Sequence, residues 1–68
     1  MVTLASLSPP GKDVLRDLFL KGPTFHEDIA SASGRIEIIE QGAADHFEGW
    51  VFLNERGINI ALKMGLAS

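Results

Sequence analysis

The chain contains no cysteine among its 68 residues. Disulfide bridges and thiolate zinc sites are therefore excluded as sources of stability. A domain of this size buries only roughly 60% of the surface that its unfolded chain exposes, so the core has to be thin. Stability must come from packing or from self-association. The lack of cysteine also fits a reducing compartment, and we expect a cytoplasmic protein.

Basic residues are few as well. Six Lys and Arg stand against nine Asp and Glu, which gives a net charge of -3. A protein that binds phosphate backbones usually carries a local excess of positive charge. The charge balance therefore argues mildly against nucleic acid as a ligand.

No apolar run approaches the roughly 18 residues that a membrane helix needs, and no basic region precedes an apolar stretch at the N-terminus. Neither a membrane span nor a signal peptide is predicted. There is no internal repeat and no low-complexity tract. We expect an N-terminal arm over residues 1–8, one domain over residues 9–65 and a frayed C-terminus over residues 66–68.

Apolar residues, in contrast, are abundant. They make up 46% of the chain, and the mean hydropathy is +0.15. A small core cannot enclose all of them, so some apolar surface should stay outside it. This composition favours a self-associating or partner-binding module.

The first predicted element is a helix over residues 9–21. Ser8 can be its N-cap with Pro9 at the first helical position, and Leu7 can act as a hydrophobic staple. Gly22 and Pro23 end it. Four apolar residues at helical spacing form its predicted buried stripe: Val14, Leu15, Leu18 and Phe19.

Two shorter helices follow in this interpretation. Thr24 and Glu27 have the spacing of a capping box, which predicts a short second helix that buries Phe25 and Ile29. Ser33 can cap a third helix over residues 34–41, ending at Gly42. The side chains expected to be buried by that third helix are Ile36 and Ile39. The two helices and their tight turn predict a helix-turn-helix.

A β-hairpin is the sharpest local prediction. If Glu48-Gly49 is a two-residue turn, four cross-strand pairs follow: Phe47 with Trp50, His46 with Val51, Asp45 with Phe52, and Ala44 with Leu53. Side chains alternate between faces. One face then carries Asp45, Phe47, Trp50 and Phe52, and the other carries Ala44, His46, Val51 and Leu53. We expect Val51 and Leu53 inside and the aromatic side chains partly outside.

The last predicted element is a helix that Asn54 caps through its side-chain oxygen. Ile58, Ala61 and Leu62 are expected to form its core-facing stripe, whereas Ile60 and Met64 lie on the opposite side. That second stripe predicts a dimer interface, although contact with the first helix would also account for it.

This order of elements resembles small winged-helix proteins of prokaryotes and their phages. Leu53-Asn54-Glu55-Arg56-Gly57 is similar to the Leu-Thr-Glu-Lys-Gly signature that ends their wing. Further short similarities lie at the start of their helix-turn-helix (Asp28-Ile29-Ala30 with Ser33-Gly34-Arg35) and at the end of their recognition helix (Ile39-Glu40-Gln41-Gly42-Ala43). The resemblance implies an α+β, mostly α fold, a winged helix-turn-helix with three helices, a two-stranded wing and a C-terminal helix.

In that family the third helix enters the DNA major groove and the wing touches the backbone. The resemblance makes Ser33, Arg35, Gln41 and His46 the candidate DNA-binding residues. Glu37 and Glu40 on the same helix oppose this role, as do Asp45 and Glu48 on the wing. Arg35 can alternatively form a surface ion pair with Glu37 or Asp28.

Catalytic and metal-binding patterns are missing from the sequence. His26 and His46 are not at helical ligand spacing with any carboxylate, and no nucleophilic triad or phosphate-binding loop is present. We expect no enzyme activity, no cofactor and no metal. The predicted function is a DNA-binding, transcription-regulator-like module of weak affinity that forms a possible homodimer. The alternative is an acidic protein-interaction module, such as a phage or regulatory adaptor, with its interface on Phe47, Trp50, Phe52, Ile60 and Met64.

Overall fold

A computed structural model describes residues 7–65 of the chain. Over these residues the fold is α+β and mostly helical, with three α-helices and one three-stranded antiparallel sheet. The elements follow in the order α1 (Pro9–Lys21), β1 (Thr24–Phe25), a 3-10 turn (His26–Asp28), α2 (Ala32–Glu40), β2 (Ala44–Phe47), β3 (Trp50–Leu53) and α3 (Glu55–Lys63). The strand order in the sheet is β1-β3-β2. Residues 1–6 of the predicted arm and the predicted frayed end, 66–68, lie outside the described residues.

Helix α1 has the predicted bounds and the predicted stripe. Val14, Leu15 and Leu18 are buried, and Phe19 is partly buried against them. Ser8 does not cap the helix with its side chain. Pro10 has no N–H to offer it, and the Ser8 hydroxyl instead donates to Glu37 Oε1 of α2 at 2.6 Å. Gly22 ends the helix as predicted, with its N–H bonded to the Leu18 carbonyl.

The predicted capping box is wrong, and the predicted second helix is reduced to the 3-10 turn His26–Asp28, after which Ile29 packs partly buried against the core. Thr24 and Phe25 form strand β1, in which Thr24 lies opposite Val51 and Phe25 lies opposite Trp50. The Thr24 hydroxyl donates to the Gly22 carbonyl at 3.1 Å rather than capping a helix. Pairing with β3 gives the backbone N–H and C=O groups of Thr24 and Phe25 their hydrogen-bond partners, so these residues do not need a helix. Only the 3-10 turn follows.

Helix α2 begins two residues earlier than predicted. Ser31, not Ser33, is the N-cap, and its hydroxyl accepts from the Gly34 amide at 3.0 Å. The helix then buries Gly34 and Ile38. The predicted core residues of this helix are accordingly misplaced: Ile36 is 48% exposed and Ile39 is only partly buried.

The position of Gly34 explains this shift. A Cβ atom there would overlap the backbone carbonyl of Pro10 on α1. Helices α1 and α2 therefore pack closely at Gly34, where α2 has no side chain. The sequence suggested Gly34 as the first residue of this helix, but it lies in the interface between the two helices.

The hairpin is confirmed in every cross-strand pair. Glu48 and Gly49 both have positive φ, 50° and 89°, as a two-residue turn of the primed type requires. Val51 is buried, Leu53 packs against the core, and Phe47 and Trp50 lie outside it.

Helix α3 is capped by Asn54 as predicted, since the Asn54 side chain accepts from the Gly57 amide at 3.0 Å. Its predicted phase is wrong. Ile60 and Ala61 are buried, whereas Ile58 and Leu62 are 43% and 49% exposed. The buried stripe includes Gly57, whose missing side chain lets the helix backbone approach the Ala43 carbonyl.

The core is formed by side chains from all three helices and from the inner face of the sheet, together with Leu7 before α1 and Ala43 before β2. Its buried members are Leu7, Val14, Leu15, Leu18, Ile38, Ala43, Ala44, Val51, Ile60 and Ala61. No helix within residues 7–65 is both long enough and apolar enough to cross a bilayer.

Candidate functional site

Two surfaces flank the sheet, one on each of its sides. The outer side carries four aromatic residues, Phe25, Phe47, Trp50 and Phe52, which we call the aromatic face. On the inner side, α2 and the turn end of the hairpin enclose a cleft of about 310 Å³, which we call the α2–hairpin groove.

The strand register creates the aromatic face. Phe25 and Phe47 both lie opposite Trp50, from β1 and β2, so three rings form one row across the three strands. The Phe25 and Trp50 rings meet edge to face with centroids 5.4 Å apart, a favourable geometry for aromatic pairs. Phe47 is 67% exposed and Trp50 is 49% exposed. Phe52 is two residues from Trp50 and extends the same face.

Gly49 is required for this packing. Its φ of 89° is one that L side chains rarely adopt, and a Cβ atom at this position would lie 2.7 Å from Cε1 of Phe25. The Gly49 carbonyl also accepts from the His26 amide at 2.8 Å, which holds the end of β1 against the hairpin. The turn thus positions the Phe25 ring beside Trp50.

The charged side chains on the strands and the turn of the aromatic face are acidic, and a cation, Arg56 of α3, lies at the base of the hairpin with its Nη1 beside Gly42. The three strands and the hairpin turn contain no Lys or Arg. Asp45 lies on the outer face of β2, opposite Phe52, and Glu48 lies at the turn. Both carboxylate residues are exposed. The face is therefore apolar in its centre and acidic at its border.

An apolar groove of about 360 Å³ continues from Phe52. It lies between the end of α1, β3 and the start of α3, and it is lined by Leu18, Phe19, Gly22, Pro23, Phe52, Leu53 and Ile58. Phe52 belongs to both surfaces, so the aromatic row and this groove, which we call the Phe52 groove, form one continuous apolar region.

The α2–hairpin groove contains the cationic and titratable groups of this side. Arg35 Nη1 donates to Nδ1 of His26 at 3.2 Å. Arg16–Asp13 is the only ion pair within residues 7–65, so the predicted pairing of Arg35 with Glu37 or Asp28 is wrong. His46 lies across the groove on β2, and the remaining lining residues are Ile36, Ile39, Gly49 and Val51.

Glu37 is turned away from this groove. The Ser8 hydroxyl and the Ser8 amide donate to its two carboxylate oxygens at 2.6 and 3.0 Å. These bonds, the hydroxyl first, lower the pKa of Glu37. Of the two glutamates on α2, only Glu40 is left exposed without such a contact to α1.

The structure brings together only some of the predicted site residues. Arg35 and His46 share the α2–hairpin groove, whereas Ser33 and Gln41 lie at opposite ends of α2 and do not line it. Phe47, Trp50 and Phe52 share the aromatic face. Of the other predicted interface residues, Ile60 belongs to the core and Met64 packs partly buried against it.

Sequence reasoning missed Phe25 and His26 as surface residues of these sites. The capping-box interpretation placed both in a helix. Thr and Phe are, however, residue types enriched in strands, and that signal was available in Thr24-Phe25. The exposed apolar residues of α3, Ile58 and Leu62, were missed because the helix phase was wrong.

Within residues 7–65, no three His, Asp or Glu side chains are grouped so that they can hold a metal ion. Comparisons with protein-family models, with curated proteins and with solved structures find no match to this chain.

Proposed function

We propose that this chain is a small, non-catalytic winged-helix-like module that binds another protein through its aromatic face. The observation that carries the proposal is the row of Phe25, Trp50 and Phe47 across three strands, with Phe47 67% and Trp50 49% exposed. Large exposed apolar patches on small proteins are typical of interaction sites. Aromatic residues are also the side chains most enriched at the energetic centres of interfaces.

The available area supports this function. A fully exposed aromatic side chain offers roughly 150–250 Å², of which Phe47 keeps 67% and Trp50 keeps 49% in this fold. A standard interface takes about 800 Å² from each partner, so these two rings alone can form only its centre. The aromatic face and the adjoining Phe52 groove supply the apolar centre of such an interface. Asp45 and Glu48 supply part of its polar rim.

The winged-helix part of the proposal is supported by the order α1, β1, α2, β2, β3, α3 and by the antiparallel β1-β3-β2 sheet. In this arrangement α2 takes the place of the recognition helix and the hairpin that of the wing. The 3-10 turn His26–Asp28 stands where a second helix is expected, and it is the main departure from the pattern.

Site-specific photocrosslinking in the source cells tests the protein-binding function. A photoreactive residue at position 47 should give a discrete protein adduct that disappears when Trp50→Ala is added. The matched control is position 20 on α1, where Leu20 is 65% exposed but lies outside the aromatic face. No adduct at position 47, or the same adduct at position 20, would exclude the aromatic face as the binding site.

Weak DNA binding by the α2–hairpin groove is the second candidate function. The observation in its favour is that Arg35, His26 and His46 line one groove beside α2 while the Glu37 carboxylate is bound to Ser8 on the other side. The lowered pKa keeps Glu37 ionised, but its carboxylate is bound to Ser8 and does not line the groove. A single arginine supports only a few phosphate contacts, so any affinity should be low.

A further inference from the structure

The chemistry of the aromatic face specifies the kind of partner segment that it fits. Its centre consists of aromatic rings, and its border carries Asp45 and Glu48 with no cation in the strands or the hairpin turn. Such a surface attracts a group that is positively charged and also able to lie flat on a ring.

Other occupants are disfavoured by the same charges. A nucleic acid stacked on the rings would bring its phosphates near Asp45 and Glu48, at a repulsive cost. A second copy of the chain, paired symmetrically through this face, would bring a second Asp45 and a second Glu48 into the same interface. Both arrangements gather like charges, so a cationic protein segment is the complementary occupant.

Arginine fits better than lysine. Its planar guanidinium stacks on an aromatic ring and at the same time donates two parallel hydrogen bonds to a carboxylate. Trp50 and Phe47 supply the rings, and Asp45, two residues from Phe47 on the same outer face, supplies a carboxylate. Its Oδ2 already accepts from Asn54 Nδ2 at 3.3 Å, but each carboxylate oxygen can accept a second hydrogen bond. Lysine offers a compact, strongly hydrated charge that cannot do both.

We propose that the aromatic face binds a protein segment in which an arginine stacks on Trp50 and Phe47 while a neighbouring apolar side chain enters the Phe52 groove. This inference rests on the protein-binding function proposed above and adds the chemistry of the partner. The groove of about 360 Å³ adjoins the rings through Phe52, so a short segment can reach both.

Trp50 makes the test direct, because the chain has a single tryptophan and its fluorescence reports on this face. The probe is a capped synthetic peptide with the repeat Gly-Leu-Arg. Matched peptides carry Lys or Glu in place of Arg. We expect the Arg peptide to change Trp50 emission saturably, the Lys peptide to bind at least about fivefold more weakly, and the Glu peptide to give no saturable change.

Variants localise the effect. Phe47→Ala and Asp45→Asn should each weaken the Arg peptide at least about fivefold, because they remove a stacking ring and the carboxylate. Leu20→Ala on α1 is the matched control and should leave the affinity unchanged. Circular dichroism checks that each variant is folded. Loss of peptide binding in Leu20→Ala as well would overturn the assignment.

Five further results would also overturn it. Equal binding of the Glu peptide would mean that the face is merely apolar, and a saturable response to oligothymidine would make it a nucleic-acid platform. A response to protein concentration alone would make it a dimer interface. A change of Trp50 emission on deletion of residues 1–6 would make the chain's own N-terminal segment the occupant. An adduct from position 47 without Arg-peptide binding would retain the protein-binding function and exclude only the arginine chemistry.

Discussion

Asn54 connects three elements at the base of the hairpin. Its Oδ1 accepts from the Gly57 amide at 3.0 Å and caps α3. Its Nδ2 donates to the Gly42 carbonyl at 2.8 Å and to Asp45 Oδ2 at 3.3 Å. Both polar atoms of the Asn54 side-chain amide are therefore used. Oδ1 accepts from the first turn of α3, and Nδ2 donates to Gly42, which follows the end of α2. A Thr or Ser at this position could accept from the Gly57 amide in the same way. Its side chain would lack the amide N–H groups that bond to Gly42 and Asp45.

We expect Asn54→Asp to be destabilising although Asp is as good an N-cap as Asn. The new carboxylate would keep the bond to Gly57 but would face the Gly42 carbonyl and the Asp45 carboxylate without a proton to donate. Asn54→Ala should cost about 1–2 kcal/mol of unfolding free energy from the lost cap. Urea denaturation measures both variants. An Asn54→Asp protein as stable as the wild type at pH 7 would show that the Nδ2 contacts contribute nothing.

Ser8 and Glu37 form the second residue-scale device, and it is sensitive to pH. The two Ser8 bonds lower the pKa of Glu37. The stabilisation from this pair is therefore complete above the ordinary pKa of a glutamate and is lost as the pH falls through the lowered pKa. In Ser8→Ala the hydroxyl bond is absent, and the pKa of Glu37 should rise toward its ordinary value.

An NMR titration of the Glu37 carboxyl carbon measures this shift. Ser33→Ala, which removes an exposed hydroxyl on the same helix, is the control and should leave the pKa of Glu37 unchanged. If Ser8→Ala also leaves it unchanged, the hydroxyl bond does not form in solution.

At the scale of elements, the hairpin was predicted in full, whereas strand β1, the N-cap of α2 and the phase of α3 were not. The hairpin was predictable in every pair because a two-residue turn and the alternation of strand side chains fix the register within ten residues. Strand β1 was not predictable in the same way, because its partner is β3, more than twenty residues away. The Thr24 capping box is a valid local pattern that this pairing overrides.

The helices show how a missing side chain misleads a pattern analysis. Both α2 and α3 bury a glycine, Gly34 and Gly57, where the backbone touches another segment. A search for apolar residues ignores such positions. When Gly57 is included, Gly57, Ile60, Ala61 and Met64 have the spacing i, i+3, i+4, i+7 of a single helix face. For the candidate site, the hairpin aromatics were therefore predictable from the turn alone. The place of Phe25 beside Trp50 depends on the pairing of β1 with β3, and the exposure of Ile58 depends on the burial of Gly57.

The phase of α3 is testable with two matched substitutions. Ile60 is 7% exposed and Leu62 is 49% exposed. Ile60→Asp should unfold the chain, because it buries a charge without a partner in a thin core. Leu62→Asp should change the unfolding free energy by no more than about 0.5 kcal/mol, as is usual at exposed sites.

Thermal and urea unfolding give both values. If the wild-type chain is a dimer and the Ile60→Asp protein is a folded monomer, the predicted stripe of Ile60 and Met64 is a dimer interface after all. If Leu62→Asp abolishes self-association without unfolding, then the interface lies on the exposed side of α3 that the structure reveals.

At the scale of the whole molecule, the two candidate binding surfaces lie on opposite sides of one small sheet and have opposite character. The outer aromatic face is bordered by Asp45 and Glu48, and the inner groove contains Arg35 with two histidines. The sheet separates them except at Gly49 and His26, which line the inner groove and also lie against Phe25. Substitutions away from these two residues should therefore leave binding on the other side intact. This separation allows the two proposed functions to be tested independently in the same protein.

The salt dependence of DNA binding tests whether the α2–hairpin groove binds DNA tightly or only weakly. With two or three phosphate contacts, log affinity for a labelled duplex should fall with log salt at a slope of about -2 to -3. Arg35→Ala should make the slope shallower by about one, whereas Phe47→Ala on the aromatic face should not change it. A steep slope with nanomolar affinity at physiological salt would instead make DNA the primary ligand. In that case the net charge of -3 would have to be outweighed by a local arrangement of cations that Arg35 alone cannot supply, and the aromatic face would become the accessory surface.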